Sequence, residues 1–370
     1  MLRLYGLVLL LHAWVGWRLL PDLPFGAPGV AAMGGWLLLS AALLPMGLFA
    51  RRFVHGPRSD LLAWAGLMAM GSFSSLFVLA FVRDLGLLVA YALGDFGFRT
   101  WSAAAVPAMA ALFTVVGFLN ARRRARVLPV DIAIAGLPAA LHGFTIAQIT
   151  DIHIGPTIRR PYVDAIVDAV NALGADMIAV TGDLVDGSVQ QLSAHAAPLS
   201  RLASRHGTYF VTGNHEYYSG APAWIAELRR LGLRVLMNEH VVLEHGGESV
   251  VVAGVTDYSA HQFHESHRSD PVAAMAGAPA HAAVRMLLAH QPRSAFAAEP
   301  AGYHLQLSGH THGGQFWPWN FLVRLQQPFT AGLRRLGALW VYTSRGTGYW
   351  GPPKRLWAPS EITHLRLVAA

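Results

Sequence analysis

Five short stretches of this chain carry side chains that bind metal ions through oxygen or nitrogen: Asp151-Ile152-His153, Gly182-Asp183, Gly213-Asn214-His215-Glu216, His290 and Gly309-His310-Thr311-His312. Carboxylate, amide and imidazole donors without sulfur suit Mn2+, Fe2+, Zn2+ or Co2+. Two such ions about 3.5 to 4 Å apart, sharing a carboxylate and one water, lower the pKa of that water until hydroxide is available near neutral pH. They also offset charge that grows on a phosphoryl group under in-line attack. The chemistry on offer is metal-assisted hydrolysis of a phosphoester or pyrophosphate bond. The chain has no cysteine, which excludes thiolate metal sites, disulfides and a cysteine nucleophile.

Strands must position these groups. Apolar runs at Phe144 to Thr150 and Asp176 to Thr181 flank a stretch in which Val163, Ile166, Val167, Val170 and Leu173 recur at helical spacing. That is a β-α-β unit, a parallel pair joined by a helical crossover. Further strand candidates are Thr208 to Thr212, Ser249 to Val255, Val284 to Ala289, Tyr303 to Ser308, Leu339 to Thr343 and Glu361 to Val368. Every candidate ligand then falls just beyond the carboxyl end of a strand, where open α/β sheets form their binding crevice. Asp151 and His153, like His310 and His312, stand two apart, so strand alternation is expected to aim each pair at one ion. Gly182, Gly213 and Gly309 supply tight turns beside them.

The first third of the chain has a different character. Charged residues are 13% overall and are sparse before Arg122, and four apolar stretches occur there: Leu4 to Leu20, Gly29 to Ala50, Leu61 to Val82 and Trp101 to Leu119. Each approaches the ~20 residues needed to cross a bilayer. No small-residue cleavage pattern follows the first, so it reads as a retained anchor. Arg3, Arg51, Arg52, Arg58, Arg122, Arg123, Arg124 and Arg126 collect on one side, leaving Arg18, Arg83 and Arg99 on the other. That excess puts the N-terminus and the soluble part in the cytoplasm. Leu85 to Leu93, bounded by Asp84 and Asp95, is too short to span alone, and a fifth span there would reverse the orientation. The net charge of +7 is accounted for by this topology, with no specific nucleic-acid partner indicated. No acidic residue lies inside a span, which argues against an ion path. The organisation expected is a membrane domain over residues 1–120, a basic juxtamembrane linker and first strand over 121–143, and a catalytic domain over 144–370.

In order and composition these motifs resemble those of the calcineurin-like metallophosphoesterases, specifically the membrane-anchored bacterial branch related to transmembrane proteins with a metallophosphoesterase domain. The resemblance implies an α/β fold, a four-layer α/β/β/α sandwich with a dinuclear site at one edge. It implies that one metal takes Asp151, His153, Asp183 and His312, and that the second takes Asp183 as a bridge with Asn214, His290 and His310. It gives His215 the catalytic role of protonating the leaving oxygen or stabilising the transition state, and it favours manganese as the cofactor, two ions per site. Arg159 and Arg345 are candidates for contact with a substrate phosphate. Asp186 is read as a loop or supporting hydrogen bond, and His261, His264 and His267 as a solvated loop or helix start. Phe316, Trp317, Trp319, Phe321, Leu322 and Phe329 form either core or a hydrophobic lip that meets the membrane or an acyl chain. The function expected is a multi-pass enzyme of the bacterial inner membrane acting on a phosphorylated small-molecule or lipid substrate. The alternative is a membrane sensor or scaffold whose domain mainly binds a partner.

Overall fold

The structure is a computed structural model that describes residues 2–50, 54, 56–95 and 97–370. Arg51 and Arg52, which entered the charge argument, lie outside the described residues. The chain forms two compact units, Met1–Arg122 with Gly351–Leu356, and Arg123–Trp350 with Trp357–Ala370.

The first unit contains α1 (Leu2–Leu19), α2 (Gly26–Leu48), α3 (Pro57–Ala92) and α4 (Phe98–Arg122), and all four are long and apolar enough to cross a membrane. The 36 residues of α3 rise ~54 Å at 1.5 Å each, well beyond a ~30 Å hydrocarbon layer. Leu85 to Ala92 therefore continue α3 and form no span of their own. Arg18 pairs with Asp84, while Arg83 and Arg99 both pair with Asp22, so the three arginines assigned to one side share one end of this unit. Gly47 and Gly66 bring α2 and α3 into backbone contact, where a Cβ on Gly47 would lie 2.5 Å from Gly66 Cα. The segment Gly351–Leu356 packs into this unit. Nζ of Lys354, the only lysine in the chain, donates to the Gly71 carbonyl at 2.8 Å, and Arg355 N donates to the Gly117 carbonyl at 2.8 Å.

The second unit is a sandwich of two six-stranded sheets. The first runs in the order β1 (Arg126–Ile134), β12 (Glu361–Ala369), β2 (Thr145–Ile149), β3 (Met177–Val180), β4 (Thr208–Phe210), β5 (Arg234–Val235). The second runs β10 (Gly332–Leu336), β11 (Leu339–Thr343), β9 (Leu305–Ser308), β8 (Val284–Leu288), β7 (Glu248–Gly254), β6 (Glu239–His245). Strands β2 to β5 are parallel, as are β7, β8, β9 and β11. Ile146, Met177, Tyr209 and Leu365 of the first sheet meet Val250, Val252, Met286, Leu305 and Leu307 of the second in one buried core. Alternation turns Ile178 and Val180 to the outer face of the first sheet, and α5 (Arg160–Asn171) buries Val163, Ile166, Val167 and Val170. The outer face of the second sheet packs Ala253, Leu287 and Val341 against Ala274, Ala295 and Ala298 from two short helices. Helix, sheet, sheet and helix make the four layers expected. The carboxyl ends of β2, β3, β4, β8 and β9 lead directly into the five ligand-bearing stretches.

Candidate metal centre

Asp151, His153, Asp183, His310 and His312 all have left-handed backbones, with φ of 53°, 56°, 53°, 70° and 52°. This corrects the strand-alternation argument: the chain has left its strands before the ligands begin, and left-handed turns aim the side chains. Each such residue costs ~1–3 kcal/mol and persists only where the surroundings fix it. Two glycines make the close approach possible, since a Cβ on Gly213 would strike Asp183 Oδ1 and one on Gly309 would strike Asp151 Oδ2.

Among the described residues the donor atoms converge in three groups, two of which are made up of the predicted ligands. In the first, His153 Nε2 and His312 Nε2 are 3.1 Å apart, and His312 Nε2 is 3.3 Å from Asp151 Oδ1. In the second, His290 Nε2 is 3.1 Å from Asp183 Oδ2 and 3.2 Å from His310 Nδ1. Asp183 Oδ2 is also 3.9 Å from His153 Nε2, so one carboxylate oxygen faces both groups. Asn214 Oδ1 is buried without a hydrogen-bond partner, an expensive state for an amide oxygen unless a ligand satisfies it. The residues present therefore fit two divalent cations with Asp183 between them.

The outer atoms of these side chains fix their inward faces. The Thr181 carbonyl lies 2.7 Å from His290 Nδ1. A carbonyl only accepts, so Nδ1 carries the proton and Nε2 presents its lone pair. Asp186 Oδ1 does the same for His153 Nδ1 at 3.1 Å. Burial and the neighbouring His290 push His310 down to about 3, leaving it a neutral donor. Burial opposes charge on His290, but Asp183 outweighs it and holds the imidazole well above its ordinary range, so in the metal-free chain a proton occupies a position suited to a cation.

His215 belongs to neither of these two groups; with His153 and Asp186 it forms a third cluster of converging donor atoms. Its Nδ1 is 2.6 Å from Asp186 Oδ1, the same oxygen that serves His153. Burial disfavours its charged form, yet Asp183 and Asp186 raise it to about 9. Asp186 itself is held far below the carboxylate range, because His153 and His215 outweigh the cost of its burial. Of the two readings of Asp186 from sequence, a loop residue or a supporting hydrogen bond, the second is the one found, though no local signal named its partners. Glu216 was likewise quoted without a role. It is fully buried, and its carboxylate accepts from the backbone N–H of Gly213 at 2.7 Å, Asp183 at 2.9 Å and Leu184 at 2.7 Å.

Other predicted positions are more scattered. Arg159 sits at the start of α5, with Nε donating to the Pro156 carbonyl and Nη1 meeting His195. Arg345 is held by Glu361 at 2.9 Å, and its stem lies over Gly313, next to His312. His261 and His267 lie on 3-10 turns and His264 between them, with His267 Nδ1 2.9 Å from the Tyr217 hydroxyl. Among the described residues these three form no three-ligand group. The aromatic stretch divides: Phe316 is buried and Phe329 packs on the outer core of the second sheet, whereas Trp319, Phe321 and Leu322 are exposed and Leu325 is 85% exposed.

Residues 144–314 match the family model described as calcineurin-like phosphoesterase. A "Transmembrane protein with metallophosphoesterase domain" from Bos taurus is 41% identical over 74% of this chain and 64% of that protein. Its counterpart from Danio rerio is 37% identical over 70% of this chain and 61% of that protein, so the chain spans under two thirds of these relatives' length. An "Uncharacterized metallophosphoesterase" from Aquifex aeolicus (strain VF5) is 33% identical over 59% of this chain and 82% of that protein. The motif order, the two converging donor groups at the strand ends and these matches agree: this membrane-associated chain belongs to the calcineurin-like metallophosphoesterases.

Proposed function

We propose that this protein is a membrane-bound hydrolase of phosphoester or pyrophosphate bonds, with Asp151, His153, Asp183 and His312 holding one cation and Asp183, Asn214, His290 and His310 the other. The observation that carries this reading is Asp183 Oδ2 facing both donor groups, and the orphaned buried oxygen of Asn214 is consistent with it. Two bound divalent cations, manganese in the favoured case, supply a water of lowered pKa and neutralise phosphoryl charge. His215, outside the two groups assigned to the cations and held charged by Asp183 and Asp186, gives its proton to the leaving oxygen. Arg345, on the face of Gly313, is the better placed of the two arginines for a phosphate oxygen. The excess of arginine at one end of the spans supports a cytoplasmic catalytic unit in a bacterial inner membrane. The exposed Trp319, Phe321, Leu322 and Leu325 support contact with lipid. The test is phosphate or nucleotide release by the detergent-purified chain with Mn2+ added or chelated. Chelator-sensitive turnover is expected, and its absence with every metal tried would favour a scaffold.

Two further results are expected. The imidazolium form of His215 is the acid, so activity falls as pH rises through its pKa. In the metal-free chain that titration lies near 9, and it is displaced toward the ordinary 6.5 in Asp186→Asn, which loses the hydrogen bond and the charge. Because the folded pKa is raised, the stabilisation is complete below 6.5 and disappears as pH passes about 9. Histidine-selective NMR of the chelated protein reads the shift, and turnover of the metal-loaded variant should fall roughly 10- to 100-fold. The lip is checked separately. The chain has no cysteine, so Leu325→Cys accepts a single fluorophore. Brominated lipids in reconstituted vesicles should quench it and leave a label at Val272→Cys, also exposed, bright. Equal quenching at both positions would remove the lip from the membrane.

A further inference from the structure

We propose that Trp350 and Tyr218 form a hydrophobic jaw for the leaving group, and that through it the site selects a phosphorylated glycerolipid over a phosphorylated sugar or nucleoside. This rests on the reading that the metal centre hydrolyses phosphoesters and that His215 protonates the leaving oxygen. The bond order is simple: water oxygen joins phosphorus, the ester P–O bond breaks, the departing oxygen takes the His215 proton, and the proton lost by the water restores His215. Whatever the departing oxygen carries must therefore lie beside His215.

Two aromatic rings flank that position. Tyr218 meets the His215 ring edge to face, with centroids 5.1 Å apart, and Trp350 does so at 5.5 Å, both at 71° between planes. Tyr218 follows His215 by three residues on the short helix Asn214–Tyr218, the spacing that stacks side chains on one helical face. Its far side meets Phe263 at 5.6 Å. Trp350 is fixed by the metal-binding loop: its N–H donates to Gln315 Oε1 and its carbonyl accepts from Gln315 Nε2, both at 2.9 Å. Gln315 comes three residues after His312.

These rings are contacted by the acid yet remain open outward, with Tyr218 62%, Trp350 51% and Phe263 43% exposed. Large aromatic surfaces exposed together at the mouth of a site mark where an apolar group docks. A sugar or ribose leaving group brings several hydroxyls that need partners; both backbone polar groups of Trp350 are already committed to Gln315, so the jaw offers only the Tyr218 hydroxyl and the Trp350 indole N–H beside its large apolar faces. A nucleobase requires groups that read its edge as well as a stacking face. Acyl-bearing glycerol requires only apolar area, and the chain's four bilayer-length helices hold the enzyme where that substrate is concentrated.

The experiment uses the full chain in detergent micelles with Mn2+ and matched esters. The pairs are dioctanoyl phosphatidic acid with glycerol 3-phosphate, and dihexanoyl phosphatidylglycerol with glycerophosphoglycerol, with AMP as the nucleoside case and p-nitrophenyl phosphate as a reference. The wild-type chain should prefer the acylated member of at least one pair. The acylated-to-deacylated ratio of kcat/KM should drop about tenfold or more in Trp350→Ser and in Tyr218→Ser, with metal content confirming that each variant is folded. A ratio that both variants leave unchanged, or a wild-type preference for AMP that Trp350→Ser removes, overturns the lipid jaw and, in the second case, makes it a stacking platform. Metal-dependent cleavage of the reference ester with no preference for acyl chains sinks this inference alone. Failure on every ester, the reference included, sinks the reading of the metal centre as well.

Discussion

Asp183→Asn lowers kcat/KM at least ~1,000-fold and releases metal from the protein. Its Oδ2 lies 3.1 Å from His290 Nε2 and 3.9 Å from His153 Nε2, so the substitution removes one charge from both donor groups at once. Loss of a single stabilising donor in a preorganised site costs about 100- to 1,000-fold, and a shared ligand counts for both cations. Asparagine is the informative change because Gly213 leaves room for a side chain of this shape and Oδ1 still accepts from His215 N, at 2.8 Å in the native chain. The left-handed turn is thus retained while bridging charge is lost. Metal analysis should find about two ions per native chain and at most about one in the variant. A variant that keeps both ions and more than a tenth of native turnover would show that Asp183 does not join the groups.

The candidate ligand set was legible because its signals are local. Carboxylates and imidazoles beside glycines at the ends of apolar runs can be read residue by residue, and of the parallel inner strands β3 is apolar throughout while β2, β8 and β9 are mostly apolar, interrupted by Gln148, by Arg285, and by Gln306 and Ser308. The edges were harder. Strands β6 and β10 close the two sides of the second sheet, and β5 closes the first. β6 mixes Glu239, His240, Glu244 and His245 into its pattern, β10 carries Arg334 and Arg335, and β5 has two residues. Charge on an edge strand prevents pairing with other chains, and it also erases the apolar alternation by which strands are recognised. Groups whose role depends on tertiary approach were not legible either. Asp186 becomes the link between His153 and His215 only when the loops after β2, β3 and β4 converge. Gly351 to Leu356 fell inside the catalytic domain expected over 144–370, yet they belong to the helical unit, where Lys354 reaches Gly71.

Glu216 supports the same centre from beneath, and its removal has the largest expected cost to stability. Its two oxygens collect three backbone N–H groups from the turns after β3 and β4, one of them the N–H of left-handed Asp183. In the metal-free chain burial first, and then the nearby Asp183 charge, push Glu216 up to about 8. Glu216→Ala leaves three buried donors unpaired. At about 1–3 kcal/mol for each unsatisfied group, with partial relief from water entering the space, a loss of roughly 3–5 kcal/mol is expected. Glu216→Gln keeps one accepting oxygen and should fall between alanine and the native chain. Thermal unfolding of the purified protein, with and without Mn2+, gives the order, and metal analysis shows whether Asp183 has lost its aim. A native thermal midpoint in Glu216→Ala would mean that the turns hold their left-handed geometry without it. The strain at Asp151, His153, Asp183, His310 and His312 would then have to be held by the two sheets alone.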